Sequence, residues 1–462
     1  MNSKAGLGWF IVLPALATWL GWGIRGQIGH ANGAMIPGAL AALVLCLLLD
    51  GKRFSPGLVI GLTAICMGFG ADETTLQSAG YVMGTNPHMG INLVKGYSGL
   101  AVKGGLWALM GGAGLGMALV YYVYSKRDIV IGALLFVAAF FFGTWTINKP
   151  KLIYFSYDRR EIWGGLLLGA VALLAWLCIR GRTRVPLVVA LSAGATGAIG
   201  YPIAVTLATL GLHSGSSGPW NWWSLAETTF GAFIGMGLGL GTYLVMDKMP
   251  ETQDSEHPAP RSPSPLSVGW IVAGALASAL VSALYHDARG YPWILLAPIL
   301  LCAAFYSIKF AWQVGITLVY CATAANLAVF FLGEVKMGSA PVVWTLTAVS
   351  TLAVAWLAEA WSAKNSPAAA RKAFVFMMWS ILALSYIKSF VNRAIVSPPT
   401  GAVAAAGGWW RYAAHIWRGG LVVDLAFTVV VLVLTGVAAG LHFNTQTDIW
   451  QKPGTRPIEP IA

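Results

Sequence analysis

Glu161-Ile-Trp-Gly-Gly165-Leu-Leu-Leu-Gly169-Ala-Val-Ala-Leu-Leu-Ala-Trp-Leu-Cys-Ile-Arg180 is the stretch whose pattern decides the fold. A carboxylate stands at its start, glycines follow at four-residue steps, and an apolar run ends on a basic residue. Residues four apart lie on one row of a helix, so Gly165 and Gly169 cut a groove through which a neighbouring backbone can approach closely. The run has about the length needed to cross a hydrocarbon core of roughly 30 Å as a helix.

The arrangement recurs. His30 and Gly38, Lys103 and Gly111, and Glu227 and Gly235 repeat the polar start with a glycine eight positions on. Ala34 and Gly231 keep the halfway position small, and Trp107 departs from the pattern in the second unit. An apolar helix precedes each of these, and the ends of those first helices also match. Gly21-Trp-Gly-Ile-Arg25 parallels Gly68-Phe-Gly-Ala-Asp72, with looser versions at 143–147 and 197–201. The sequence therefore predicts an internal repeat of four helical hairpins in one orientation.

Composition fixes the class. Of 462 residues, 57% are hydrophobic and 10% charged, whereas a soluble domain carries about a quarter of its residues as charges. The expected fold is an all-α polytopic membrane protein of about 14 transmembrane helices. The first eight runs fall at 7–24, 33–49, 56–71, 100–124, 129–147, 162–179, 185–209 and 225–247. Six more fall at 267–285, 291–307, 312–333, 340–361, 372–390 and 420–441. Residues 1–248 form the membrane domain of four hairpins. The Pro-, Ser- and charge-rich segment 249–265 cannot bury a core and reads as a cytoplasmic flexible linker. A second membrane domain of about six helices occupies 266–442, and 443–462 is a cytoplasmic tail. The first apolar run could pass for a signal peptide, but its place in the repeat favours a retained span. Cys46, Cys66, Cys178, Cys302 and Cys321 all lie in apolar runs and read as small hydrophobes.

Topology follows from the turns after the second helices. Asp50-Gly-Lys-Arg53, Ser125-Lys-Arg127, Arg180-Gly-Arg-Thr-Arg184 and Asp247-Lys248 are short and basic, so both termini and the linker are expected inside the cell (inner) membrane. The net charge of +12 then divides as +7 inside and +5 outside. The surplus thus points to membrane sidedness and gives no ground for a nucleic-acid partner.

The external charge needs a separate explanation. Five of the seven histidines, His30, His88, His213, His286 and His415, fall on that side with many ionisable residues at the ends of apolar runs. Charges so placed are costly unless they face the protein interior or a water-filled cavity. The densest stretch is Gly23 to Gly33, where glycines bracket Arg25, Gln27, His30 and Asn32. It reads either as an unwound ligand-binding segment or as a tight turn with a snorkelling arginine. Asp72 and Glu73 could share a proton, bind a cation or pair with Arg25. Arg160, Glu161, Trp223 and Glu227 open the third and fourth glycine-rich helices. Their mixture of rings, carboxylates and guanidinium suits polyhydroxylated ligands, although tryptophans also gather at bilayer interfaces generally. In the second half, His286 and Arg289 carry similar chemistry. Arg411, His415 and Arg418 are spaced to align on one helix face, where they would hold an anionic solute or a lipid phosphate. Asp424, within the last span, is a further candidate for proton coupling.

No P-loop, nucleophile elbow or HExxH pattern occurs. These readings converge on a secondary transporter of a polar, sugar-like or anionic organic solute, through a site opening to the outer face. No cofactor or metal is expected beyond a coupling proton or sodium ion, and the partners are the small polar solute and membrane lipids. The alternative is an integral-membrane transferase or hydrolase acting on a lipid-linked or envelope glycan, with Glu227, Glu161, Asp72 or His30 as general acid–base groups. A haem or quinone protein, resting on the scattered histidines alone, is the third reading.

Overall fold

The computed structural model describes residues 6–28, 33–49, 54, 56–71, 73, 76–84, 90–157, 160–214 and 222–248. In the second half it describes 320, 324, 327, 328, 330–336, 339–363, 369–392 and 421–440. Most of these residues are helical, with no strand among them. The first half comprises α1 (Leu7–Ile28), α2 (Met35–Leu48), α3 (Pro56–Gly70), α4 (Leu76–Met83), α5 (Leu93–Leu119), α6 (Lys126–Gly143), α7 (Trp163–Gly181), α8 (Val185–His213) and α9 (Trp222–Val245). After the undescribed stretch come α10 (Ala340–Ala363), α11 (Ala369–Val391) and α12 (Leu421–Gly440). The 249–265 linker and the 443–462 tail lie outside the described residues.

Seven of these helices are long and apolar enough to cross a membrane, which makes the chain a multi-pass membrane protein of all-α class. Helices α2 and α3 are different. With 14 and 15 residues, they rise about 21–23 Å, short of a bilayer core of roughly 30 Å. They are enclosed by protein: 13 of the 14 residues of α2 are buried. Helix α5 is long, at 27 residues, yet too glycine-rich and charged to count among the seven; 19 of its residues are buried. A helix surrounded by other helices has no need of an apolar lipid face.

The chain closes these elements into a ring in which α1 packs on α2, α2 on α3, α3 on α5, α5 on α8, α8 on α9, and α9 back on α1. Each expected hairpin is a packed pair: α1 with α2, α3 with α5, α6 with α7, α8 with α9. The α6–α7 pair sits outside the ring and reaches it mainly through α7 on α5, while α11 covers α1 and α2. The outer helices present side chains such as Leu134, Phe142, Val171 and Trp356 to their surroundings, as lipid contact requires.

The glycine rows face the first helices. A Cβ on Gly38 would lie 2.9 Å from the Thr63 carbonyl of α3, one on Gly111 would lie 2.6 Å from Met67 of α3, and one on Gly169 would lie 2.9 Å from Phe136 of α6. The α1–α9 seam is the tightest. Pro14 has no N–H to return to the Phe10 carbonyl, and a Cβ on Gly239 would collide with that freed oxygen, while one on Gly235 would collide with Pro14 itself. Gly239→Ala should therefore destabilise by about 1–3 kcal/mol through overpacking. Gly436→Ala in α12, where a Cβ meets nothing within 4 Å, should leave stability unchanged or slightly raised. Thermal unfolding of the two variants in detergent separates these outcomes.

Candidate functional site

Lys103 stands ten residues into α5, about 15 Å from its first turn, and has no solvent exposure. An ammonium in that position needs anionic partners, and two converge on it. Its Nζ lies 2.7 Å from Glu161 Oε1 and 3.3 Å from Glu73 Oε1, and it donates to Ser156 Oγ at 3.1 Å. Glu73 comes from the connection between α3 and α4, while Ser156 and Glu161 come from the segment leading into α7. All four side chains are buried.

The carboxylates also hold irregular backbone in place. Glu161 accepts from the Phe155 N–H at 3.1 Å and from Ser156 Oγ at 2.7 Å, and Glu73 Oε2 accepts from the Ile162 N–H at 2.6 Å. Buried non-helical backbone must find such partners. Glu73 Oε1 has the ion pair but no hydrogen bond. Two carboxylates face one ammonium, so the cluster carries one surplus negative charge when every group is ionised. Because Glu73 lies in a connection outside the helices, its titration is set by local burial: this pushes its carboxyl up to about 7, against the pull of Lys103 and of the Ile162 N–H.

A second, balanced pair lies near Trp107. Arg25 near the end of α1 donates from Nη1 to Glu227 Oε1 of α9 at 2.9 Å, both side chains nearly buried. The Trp223 indole adds a hydrogen bond to Glu227. The guanidinium carbon lies 5.6 Å from the Trp22 ring and 5.8 Å from the Trp107 ring. Below it, Trp22, Trp107, Tyr201 and Phe230 pack together from α1, α5, α8 and α9, with Tyr201 stacked on Phe230 at 4.3 Å. Trp107 is one helical turn from Lys103, and a Cβ on Gly70, three residues before Glu73, would lie 2.9 Å from the Trp107 Cα. Both charged groups therefore lie close to Trp107, one against its ring and the other one turn away on α5.

Among the expected site residues, Arg25, Glu73, Glu161, Trp223 and Glu227 enter these groups. Arg160 is exposed. The backbone of Gln27 lies within α1, but its side chain lies outside the described residues, as do His30, Asn32, Asp72, His286, Arg289, Arg411 and His415. Of the external histidines, His213 alone is described; it is exposed, with Nδ1 2.8 Å from the Thr209 carbonyl. Asp424 is buried in α12, its carbonyl accepting from Tyr386. Arg25 meets Glu227 and Glu73 meets Lys103, whereas the sequence offered Glu73 to Arg25; Asp72, the other candidate, lies outside the described residues. Lys103 itself was missed as a site residue, although its register with Glu161 and Glu227 in the repeat was the signal. Trp107 was signalled too, as the bulky residue where other units are small. Ser156, Trp22, Tyr201 and Phe230 had no signal that separates them from ordinary core.

Breaking a buried ion pair by removing one partner costs about 3–5 kcal/mol, whereas replacing both by apolar groups is often near neutral. Arg25→Met and Glu227→Met should each lower the unfolding midpoint in detergent, and the double variant should recover most of the loss. Additive losses would show that the contact contributes nothing as a pair. No family model matches this chain, and neither the curated proteins nor the solved structures contain one similar to it.

Proposed function

We propose that the protein is a secondary transporter of a polar, sugar-like or anionic organic solute, working in the cell (inner) membrane with both termini cytoplasmic. In this reading its fourteen spans begin with four repeated hairpins. The observation that carries the proposal is the burial of Arg25, Glu73, Lys103, Glu161 and Glu227 inside one helical ring. Ionisable groups within a membrane domain are expensive, and they characteristically mark solute or ion pathways. Simple structural staples would not require one cluster to hold an unbalanced charge.

The chemistry suggests a division of labour. Arg25 offers a planar guanidinium backed by Trp22 and Trp107, a pairing that recognises carboxylate or phosphate oxygens while rings cover apolar C–H surface. Glu227 occupies that guanidinium in the structure, so an anionic group on the solute would compete with it. The α1–α9 seam, lined by glycines, is where the two partners would separate. The glycan transferase or hydrolase reading fits less well, because Glu161 and Glu227 are each committed to a cation and to further hydrogen bonds.

Purified protein in sealed vesicles, with an imposed proton or sodium gradient, should accumulate labelled solute from a panel of sugars and organic acids. Arg25→Met should reduce uptake by about tenfold or more, the effect of losing a charge-assisted contact of about 1.5–3 kcal/mol. Binding without uptake under either gradient would reject transport, and release of a modified glycan from a lipid-linked substrate would install the enzyme reading in its place.

A further inference from the structure

We propose that Glu73, Lys103 and Glu161 form a single-proton site, which holds one proton on the Glu73 carboxyl and exchanges it as a unit, alternating between neutrality and one negative charge. Three observations carry it. The three side chains are buried to within 2% of full enclosure. Their formal charges do not cancel, since two carboxylates share one ammonium. The carboxyls are also inequivalent. Glu161 is surrounded by donors, with Lys103 Nζ and Ser156 Oγ each at 2.7 Å and the Phe155 N–H at 3.1 Å. Glu73 is farther from the ammonium, at 3.3 Å, and its Oε1 accepts no hydrogen bond.

A buried charge lacking a partner is neutralised by protonation when its surroundings allow. The described groups facing Glu73 are few: Lys103 from α5, Glu161 and the Ile162 N–H from the segment before α7, and on α4 the uncharged Gln77 and Ser78, each bonded toward the 155–157 segment. No second cation among them compensates the surplus. In exchange the Glu73 O–H bond breaks, the proton passes to water as hydronium, and the electron pair remains as carboxylate charge; no oxidant or reductant is involved. The site's role as the coupling site of a transporter rests on the function proposed above, but the proton site itself does not.

Folded chain binds a proton between about 4.5 and about 7 that unfolded chain has already released. The site's contribution to stability is therefore full below about 4.5 and is lost as pH rises from there through about 7. The direct test is difference infrared spectroscopy of the full chain in lipid nanodiscs, between acidic and alkaline pH. The expected result is one protonated-carboxyl band per chain that titrates near neutral pH and shifts when glutamate is isotopically labelled. Glu73→Gln should abolish it. Glu161→Gln should abolish it too, since the remaining Glu73 and Lys103 then balance. Absence of the band in labelled wild-type protein, a reading that needs no variant, overturns the proposal, as does a band that persists in a folded Glu73→Gln or Glu161→Gln protein. No solute enters the measurement. A chain that shows the band yet moves nothing in vesicles keeps the proton site and loses the transport reading, and the reverse result removes only the proton site.

Discussion

An ammonium group three turns inside a helix, sealed from solvent, constrains everything packed around it. Lys103 cannot be neutralised by residues of its own helix, because α5 offers glycines and apolar side chains along its buried length. Its counter-charges must arrive from elsewhere, and this dictates the path of two connections. The connection after α3 delivers Glu73, and the segment before α7 delivers Ser156 and Glu161. Irregular backbone buried this way would leave amides unsatisfied. The same carboxylates take the N–H groups of Phe155 and Ile162, so the groups that neutralise Lys103 also make the inward path tolerable.

The glycine rows complement this arrangement. Where α9 meets α1 and α2 meets α3, helices approach through main-chain atoms, and such contacts bring axes close without side chains between them. Close seams around the wall of a ring leave its interior to a few large residues. Trp22, Trp107, Tyr201 and Phe230 fill it from four helices, with Trp107 in contact with the other three.

The class and the helical runs of the first half were legible in composition, and the glycine rows in their four-residue spacing. The fate of each run was less so. A helix wrapped in protein and one wrapped in lipid can be equally apolar, so Met35–Leu48 and Pro56–Gly70, short and enclosed, carry the same signal as the longer helices. The start of α5 was misplaced for the opposite reason. Leu93 to Gly99 contains Lys95 and Ser98 and carries little apolar signal, yet the Asn92 side chain caps the Lys95 N–H at 2.9 Å, and helix continues from there. That shift moved Lys103 from a helix end into the interior. Partner identity was out of reach, since Arg25 and Glu227 are separated by 202 positions, and the repeat offered Asp72 or Glu73 as an equally plausible match for Arg25.

The two charged groups place their signs in opposite order along the helices that carry them. In one, the cation ends a first helix and the anion opens a second, as Arg25 and Glu227. In the other, the anion follows a first helix and the cation lies on a second, as Glu73 and Lys103, with Glu161 added from the next unit. The addition matters because it breaks the balance. The Arg25–Glu227 pair cancels its own charge when both members are ionised. A lysine shared between two carboxylates has no fully ionised state that is neutral. Both groups meet α5, one through the Lys103 side chain and the other through the face of Trp107 one turn away. Any rotation of that helix which eases the unbalanced cluster must also move the ring that backs Arg25, and it is the close packing of α5 against α3 and α8 that makes such a movement collective rather than local.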